Sequence, residues 1–250
     1  MWLVLCSNDD LSALWAYQGL KERGLAPMEL VSAEVLAHSL RWEHRLGADG
    51  TYTEITLPDG RTINNRSTRG TLNRLQAFPG YLLRARASDR LYATQEFTAF
   101  FMSWLNALPA PVLNRPTAQG LSGPWRHISE WVWLASRASL PVPRYAETSR
   151  EWTAQALYSG RLVPANTPVE TIIVVAGQAV CERAPAEIRE GCIQLSRLSE
   201  TELLGVEFVV SETGLWTFVG ATPFPDLRLG GQMLLDELFS ALKAGGQSAS

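Results

Sequence analysis

Five apolar residues, 2–6, open the chain, and residues 7–10 follow with small polar side chains suited to capping a helix. Leu11, Leu14, Trp15 and Leu20 then recur at helical spacing, so the pattern predicts a strand, a loop and a helix, with Gly24 as the helix C-cap. After the apolar stretch 28–36, residues 41–64 alternate polar and apolar positions around two turn sequences, Ala48-Asp49-Gly50 and Pro58-Asp59-Gly60, which predict hairpins. Leu91, Phe97, Phe100, Phe101, Trp104 and Leu105 mark a helix over 88–107, and an extended segment, 111–116, follows it. A further helix is predicted over 125–139, leading into Leu140-Pro141-Val142-Pro143.

The stretch 144–168 is weakly patterned and reads as a linker or boundary. Beyond it, 170–175 and 179–183 predict paired strands across Gly177-Gln178, and 185–199 predicts a helix. Residues 203–210 and 215–221 predict two strands, and 231–243 a closing helix with Met233, Leu234, Leu238 and Leu242 on one face. The alternation implies an α/β domain with mostly parallel strands over 1–116, and the tail 246–250 reads as disordered. No internal repeat is present.

Composition narrows the function classes. With 250 residues, 46% of them hydrophobic, the chain can bury a sizeable core. A net charge of -3 offers no basic footprint, which argues against nucleic acid as a partner. Cys6, Cys181 and Cys192 make neither a disulfide framework nor a recognisable zinc spacing. Acidic residues follow the first apolar run at once, and no run approaches a membrane span, so the reading is a soluble, cytoplasmic protein without a membrane partner.

Four segments, in order, resemble the ribosomal-protein-S6-modifying and peptide-ligating branch of the ATP-grasp superfamily. Residues 70–75 (Gly-Thr-Leu-Asn-Arg-Leu) resemble the end of that family's N-terminal hairpin region, and Val112-Leu113-Asn114-Arg115-Pro116 its asparagine-proline strand. Residues 125–143 resemble a helix that runs into a hydrophobic-x-proline strand, and 204–208 with 215–223 resemble its two magnesium-bearing strands. The resemblance implies a pre-ATP-grasp-like α/β domain over 1–116 followed by a truncated ATP-grasp-like α+β domain over 117–245 that lacks the central lid.

It also implies chemistry that can be checked residue by residue. An ATP-dependent carboxylate-amine ligase neutralises phosphate oxygens with cationic side chains and holds magnesium with oxygen ligands. The only lysines here are Lys21 and Lys243, outside the positions where the family places two. Arg126 falls near the first of those positions, and reads either as a phosphate contact or as an exposed residue in the first turn of a helix. Glu207 falls at the first magnesium position and reads either as a ligand or as an ordinary strand residue, while Gly220 and Thr222 occupy the other two. The 26 residues 144–169 leave no room for the family's lid. No cofactor is therefore expected, and Mg-ATP is required only if the chain is a divergent ligase.

Other candidates are weaker. His38 and His44, beside Glu34 and Glu43, have no metal-ligand spacing, and Cys6 at a strand end reads as a reactive thiol or a buried small residue. No nucleophile elbow, P-loop or G-x-G-x-x-G loop occurs. Trp125, Trp131 and Trp133 cluster in one segment with Trp152 soon after, and positions 131 and 133 cannot share a helix face. These four form a candidate interface, unless domain packing absorbs them.

The leading expectation is a pseudoenzyme of the ATP-grasp type that serves as a partner or substrate-presenting subunit in a peptide-modification or natural-product pathway. Its partner would be a protein or peptide, such as an enzyme encoded nearby, and homo-oligomers stay open. The alternatives are a divergent ATP-dependent peptide ligase and a small-ligand binding module.

Overall fold

The computed structural model describes residues 1–250 except 49, 84, 110, 146–160, 165 and 246–250. Trp152, most of the expected linker and the expected disordered tail lie outside the described residues. The chain forms two compact units, Met1–Gly123 with Leu238–Ser250, and Pro124–Glu237, whereas the sequence reading divided it after residue 116.

In the first unit β1 (Trp2–Cys6) is followed by α1 (Leu11–Glu22), β2 (Met28–Ser32) and α2 (Ala33–Ala37). Asp10 starts α1 by accepting the Ala13 N–H at 2.9 Å, and Gly24 takes up the left-handed backbone beyond its end, φ 84°. The chain continues through β3 (Arg41–Gly47), β4 (Gly50–Thr56), β5 (Thr62–Asn64), β6 (Gly70–Asn73), α3 (Arg90–Ala107) and β7 (Val112–Leu113). Strands β2, β1, β6 and β7 form one parallel sheet in that order. All five residues of β1 are buried, as a central strand covered on both faces requires.

β3, β4 and β5 form a separate antiparallel sheet in which β3 is an outer strand, with Glu43 paired to both Arg41 and Arg45. Trp42 from β3 meets Phe100 and Phe101 of α3 at ring-centroid distances of 4.9 and 5.1 Å. This aromatic contact places α3 against the hairpin. The extended segment expected over 111–116 is only a two-residue strand, because Asn114 turns left-handed at φ 61° immediately after it.

The second unit contains α4 (Ile128–Arg137), β8 (Glu170–Val175), β9 (Gln178–Val180), α5 (Ala186–Leu198), β10 (Leu203–Val210) and β11 (Trp216–Thr222). Its sheet is antiparallel in the order β11-β10-β8-β9. The β8–β9 turn is made by Ala176 and Gly177, both at positive φ, one residue earlier than the pattern suggested. Ile128, Trp131 and Ala135 of α4, Ile188, Cys192 and Leu195 of α5, and Ile172, Val206 and Phe218 of the sheet share one core. A short 3-10 turn, Leu227–Gly230, precedes α6 (Gly231–Gly245), which spans the boundary between the two units. No helix among the described residues is long and apolar enough to cross a membrane.

Candidate functional site

The second unit holds a cleft of about 810 Å³. Its lining combines residues before and at the start of α4, Arg161, and the stretch 221–226, which covers the end of β11 and the residues after it. Glu207, Thr171 and Thr222 bring side chains from the sheet, and Trp125, Phe224 and Leu229 bring apolar ones.

Glu207 occupies the centre of this sheet. Its register partners are Gly220 on β11 and Thr171 on β8, and the β10–β11 register shifts between Glu207 and Phe208. Glu207 is buried, 8% exposed as a residue, and its carboxylate is held by Arg161, whose Nε and Nη2 donate to the two separate oxygens. The pair is bidentate, the geometry that a guanidinium fork and a carboxylate share. Leu162 anchors this segment to the sheet by donating its N–H to the Val219 carbonyl at 2.8 Å.

The two other positions that the resemblance assigned to magnesium have different uses. Gly220 has no side-chain oxygen, and the Thr222 hydroxyl accepts the Phe224 N–H at 3.1 Å, closing the turn that begins 222–226. Magnesium requires several free oxygen ligands in octahedral geometry. One carboxylate already neutralised by arginine, a glycine and a hydroxyl engaged in a turn do not fit that ion.

Arg126 differs from its expected setting. His127 is the N-cap of α4 in extended backbone, φ -68° and ψ 154°, so Arg126 precedes the helix and is not in its first turn. Nor is it exposed: its guanidinium pairs with Glu130, donates to the Ser199 carbonyl at 3.2 Å and lies 5.9 Å from the Trp131 ring centroid. Its Nε is buried with no hydrogen-bond partner among the described residues. Arg228 in turn holds Asp226 at 2.6 Å, so arginine and carboxylate charges at this cleft occur as pairs.

The tryptophans separate by position. Trp125 precedes α4 and is 68% exposed in the cleft wall, Trp131 is 3% exposed in the core, and Trp133 is 56% exposed with Arg137 over its ring at 5.1 Å. This is the division of faces that a spacing of two residues on a helix dictates. Arg161 and Leu229 were not singled out by the sequence pattern. Arg161 sits in the weakly patterned stretch, 46 residues from its partner, where no local periodicity signals a contact.

Cys6 ends β1 and is buried; desolvation, with smaller effects from Asp10 and other neighbours, pushes its thiol up to about 12. Burial likewise raises the Cys192 thiol. A protonated buried thiol is a poor nucleophile, so Cys6 behaves as a core residue.

No protein-family model matches the chain, and no curated protein matches it. Solved structures do. The chain is similar to the ATP-grasp ligase PsnB complexed with a minimal precursor, Mg and ADP, at 16% identity and TM-score 0.64, over 98% of each chain. It is similar to the macrocyclase MdnC bound with precursor peptide MdnA from Microcystis aeruginosa MRC, at 11% identity and TM-score 0.68, over 95% of this chain and 99% of that one. A third is the Chryseobacterium gregarium RiPP-associated ATP-grasp ligase in complex with ADP and a leader and core peptide, at 10% identity and TM-score 0.66, covering 100% and 97%. Likeness at such identities is one of architecture, and on it the chain has the ATP-grasp fold that the ordered sequence segments resembled.

Proposed function

We propose that this ATP-grasp-fold protein has no ligase activity of its own and acts as a partner or peptide-presenting subunit in a peptide-modification pathway. The observation that carries the reading is the ion pair of Arg161 with Glu207 beside Gly220. The pair occupies the one carboxylate at the positions that the resemblance assigns to magnesium, and the neighbouring strand has Gly220 and Thr222 at the other two. Arg126 is similarly engaged with Glu130, so neither arginine is held in reserve for a triphosphate. The absence of lysine between Lys21 and Lys243 and the short stretch 144–169 support the same conclusion. Fold neighbours described with bound precursor, leader and core peptides support a peptide or protein as the partner.

Calorimetric titration with Mg-ATP tests this, first on the chain alone and then with a peptide-modifying enzyme from its gene neighbourhood. The expected result is no saturable heat from the chain alone and a complex with the enzyme. Saturable Mg-ATP binding by the chain alone, with phosphate release when an acceptor peptide is added, would overturn it.

A further inference from the structure

The three-stranded sheet of the first unit has two faces of opposite character. Register sets Trp42 opposite Ile55 and Ile55 opposite Ile63, and this face meets α3 through Trp42. On the other face Arg41 stands opposite Thr56, Glu43 opposite Glu54 and Arg45 opposite Tyr52, because side chains alternate along a strand. Arg41, Glu43, Arg45, Tyr52, Glu54 and Arg66 line a cavity of about 650 Å³ there. Like charges directly opposite each other destabilise a sheet, so the facing glutamates cost stability unless something offsets them.

Glu43 is offset and Glu54 is not. Arg41 donates to one Glu43 oxygen, and Arg45 pairs by charge with the other, which is buried and accepts no hydrogen bond among the described residues. Glu54 accepts from a neutral donor, the Tyr52 hydroxyl at 2.6 Å, and has no cationic partner among the described residues. That bond holds the Tyr52 phenol above its usual range, so the hydroxyl stays protonated and leaves the charge on Glu54. Over the same ring the Arg66 guanidinium carbon lies 4.9 Å from the centroid, and Arg66 has no carboxylate partner among the described residues. Asn64 fixes the turn that carries it by accepting the Arg66 and Ser67 N–H groups at 3.1 and 2.9 Å. Tyr52 thus holds two opposite charges, one at its ring face and one at its hydroxyl, without their pairing with each other.

A ligand that complements this face brings a cation to Glu54 and an anion to Arg66 at once. A single exposed ion pair holds little by itself, which disfavours a lone small ion as the occupant. Alternate side chains of an extended strand lie about 7 Å apart on one face, so a strand can reach the two charges on either side of the Tyr52 phenol. We propose that the outer face of the β3–β4–β5 sheet docks an extended segment of a polypeptide partner that carries an acidic and a basic side chain two positions apart, the acid on Arg66 and the base on Glu54. The planar fork of Arg66 suits a carboxylate. The site lies wholly in the first unit, and its assignment stands whether or not the chain is a ligase.

The test is selection of a displayed random 12-residue peptide library on the full chain, with the affinity of the synthetic consensus peptide read by fluorescence anisotropy. A consensus with an acid and a base two positions apart is expected. Arg66→Gln and Glu54→Gln should each weaken it about threefold to fivefold, the first removing the preference for the acid and the second that for the base. The double exchange Glu54→Lys with Arg66→Glu should bind the peptide whose acid and base are exchanged. Tyr52→Ala should abolish binding, because the two charges are then free to pair, and Trp133→Ala should leave it unchanged. Circular dichroism of each variant confirms that the fold persists. No enrichment, a consensus without the pair, affinity unaffected by both glutamine variants, or displacement by inorganic phosphate with no requirement for the base would overturn the proposal.

Discussion

Asp10 caps α1 with one carboxylate and uses the same group to hold Arg74, which donates Nε to Oδ2 at 2.7 Å and Nη2 to Oδ1 at 3.3 Å. Their side chains are 4% and 2% exposed, so the pair ties the end of β6 to the start of α1 from inside the protein. Removing the arginine leaves an uncompensated buried carboxylate. Arg74→Met is therefore expected to lower stability by about 3–5 kcal/mol, read from urea unfolding midpoints.

Arg161 and Glu207 form a second such pair, with Arg161 more exposed, at 28% against 10% for Glu207. Discounting for that exposure, Arg161→Ala is expected to cost about 2–3 kcal/mol. Adding Glu207→Ala should then recover part of the loss, because the double variant no longer contains an orphaned charge. A double-mutant cycle from chemical denaturation measures this; strictly additive losses would mean that the two side chains are not coupled.

Gly205 faces Pro225 so closely that a Cβ at that position would lie 2.8 Å from the Pro225 Cβ. Gly205→Ala must displace the proline stretch that lines the cleft. A loss of about 1–3 kcal/mol is expected in thermal unfolding, typical of overpacking. A fully neutral substitution would show that 223–226 shifts without resistance.

Trp131 and Trp133 offer a paired comparison on a single helix. Trp131→Ala empties a core site and is expected to cost about 3–5 kcal/mol. Trp133→Ala, at an exposed site, should stay within about 0.5 kcal/mol. Equal costs would contradict the assignment of the two faces.

Cys6 yields a pH dependence with a defined sign. Its thiol ordinarily ionises near 9.0 and is raised to about 12 in the folded chain, mainly by burial. The folded state therefore keeps this contribution below about pH 9 and loses it as pH climbs toward 12, because the unfolded chain releases the proton first. Over that window, denaturant stability should fall more steeply in the parent chain than in Cys6→Ala, by about 1.4 kcal/mol per pH unit.

Most of the architecture was legible where local periodicity and burial agree. The run 2–6 is apolar throughout because β1 is covered on both faces, and the α3 aromatics repeat at helical spacing because one face of that helix packs on the hairpin. Reading failed where a boundary depends on a single backbone state. His127 adopts extended backbone and starts α4 three residues later than the pattern implied, which moves Trp125 and Arg126 off the helix. Asn114 turns left-handed and cuts β7 short. At the candidate site, strand pattern and family resemblance singled out Glu207, but its arginine was hidden because a contact across 46 residues leaves no trace in spacing.

The hairpin of the first unit also bears on how the chain behaves at high concentration. An outer strand displays backbone donors and acceptors onto which a strand from another molecule can zip. On β3 the residues 41, 43 and 45 carry Arg, Glu and Arg, linked to one another by ion pairs. A foreign strand aligning there would have to accommodate that row of charge beside its own side chains. The row thus guards the sheet against open-ended strand addition, and apolar replacements at 41, 43 and 45 are where fibrous association should begin.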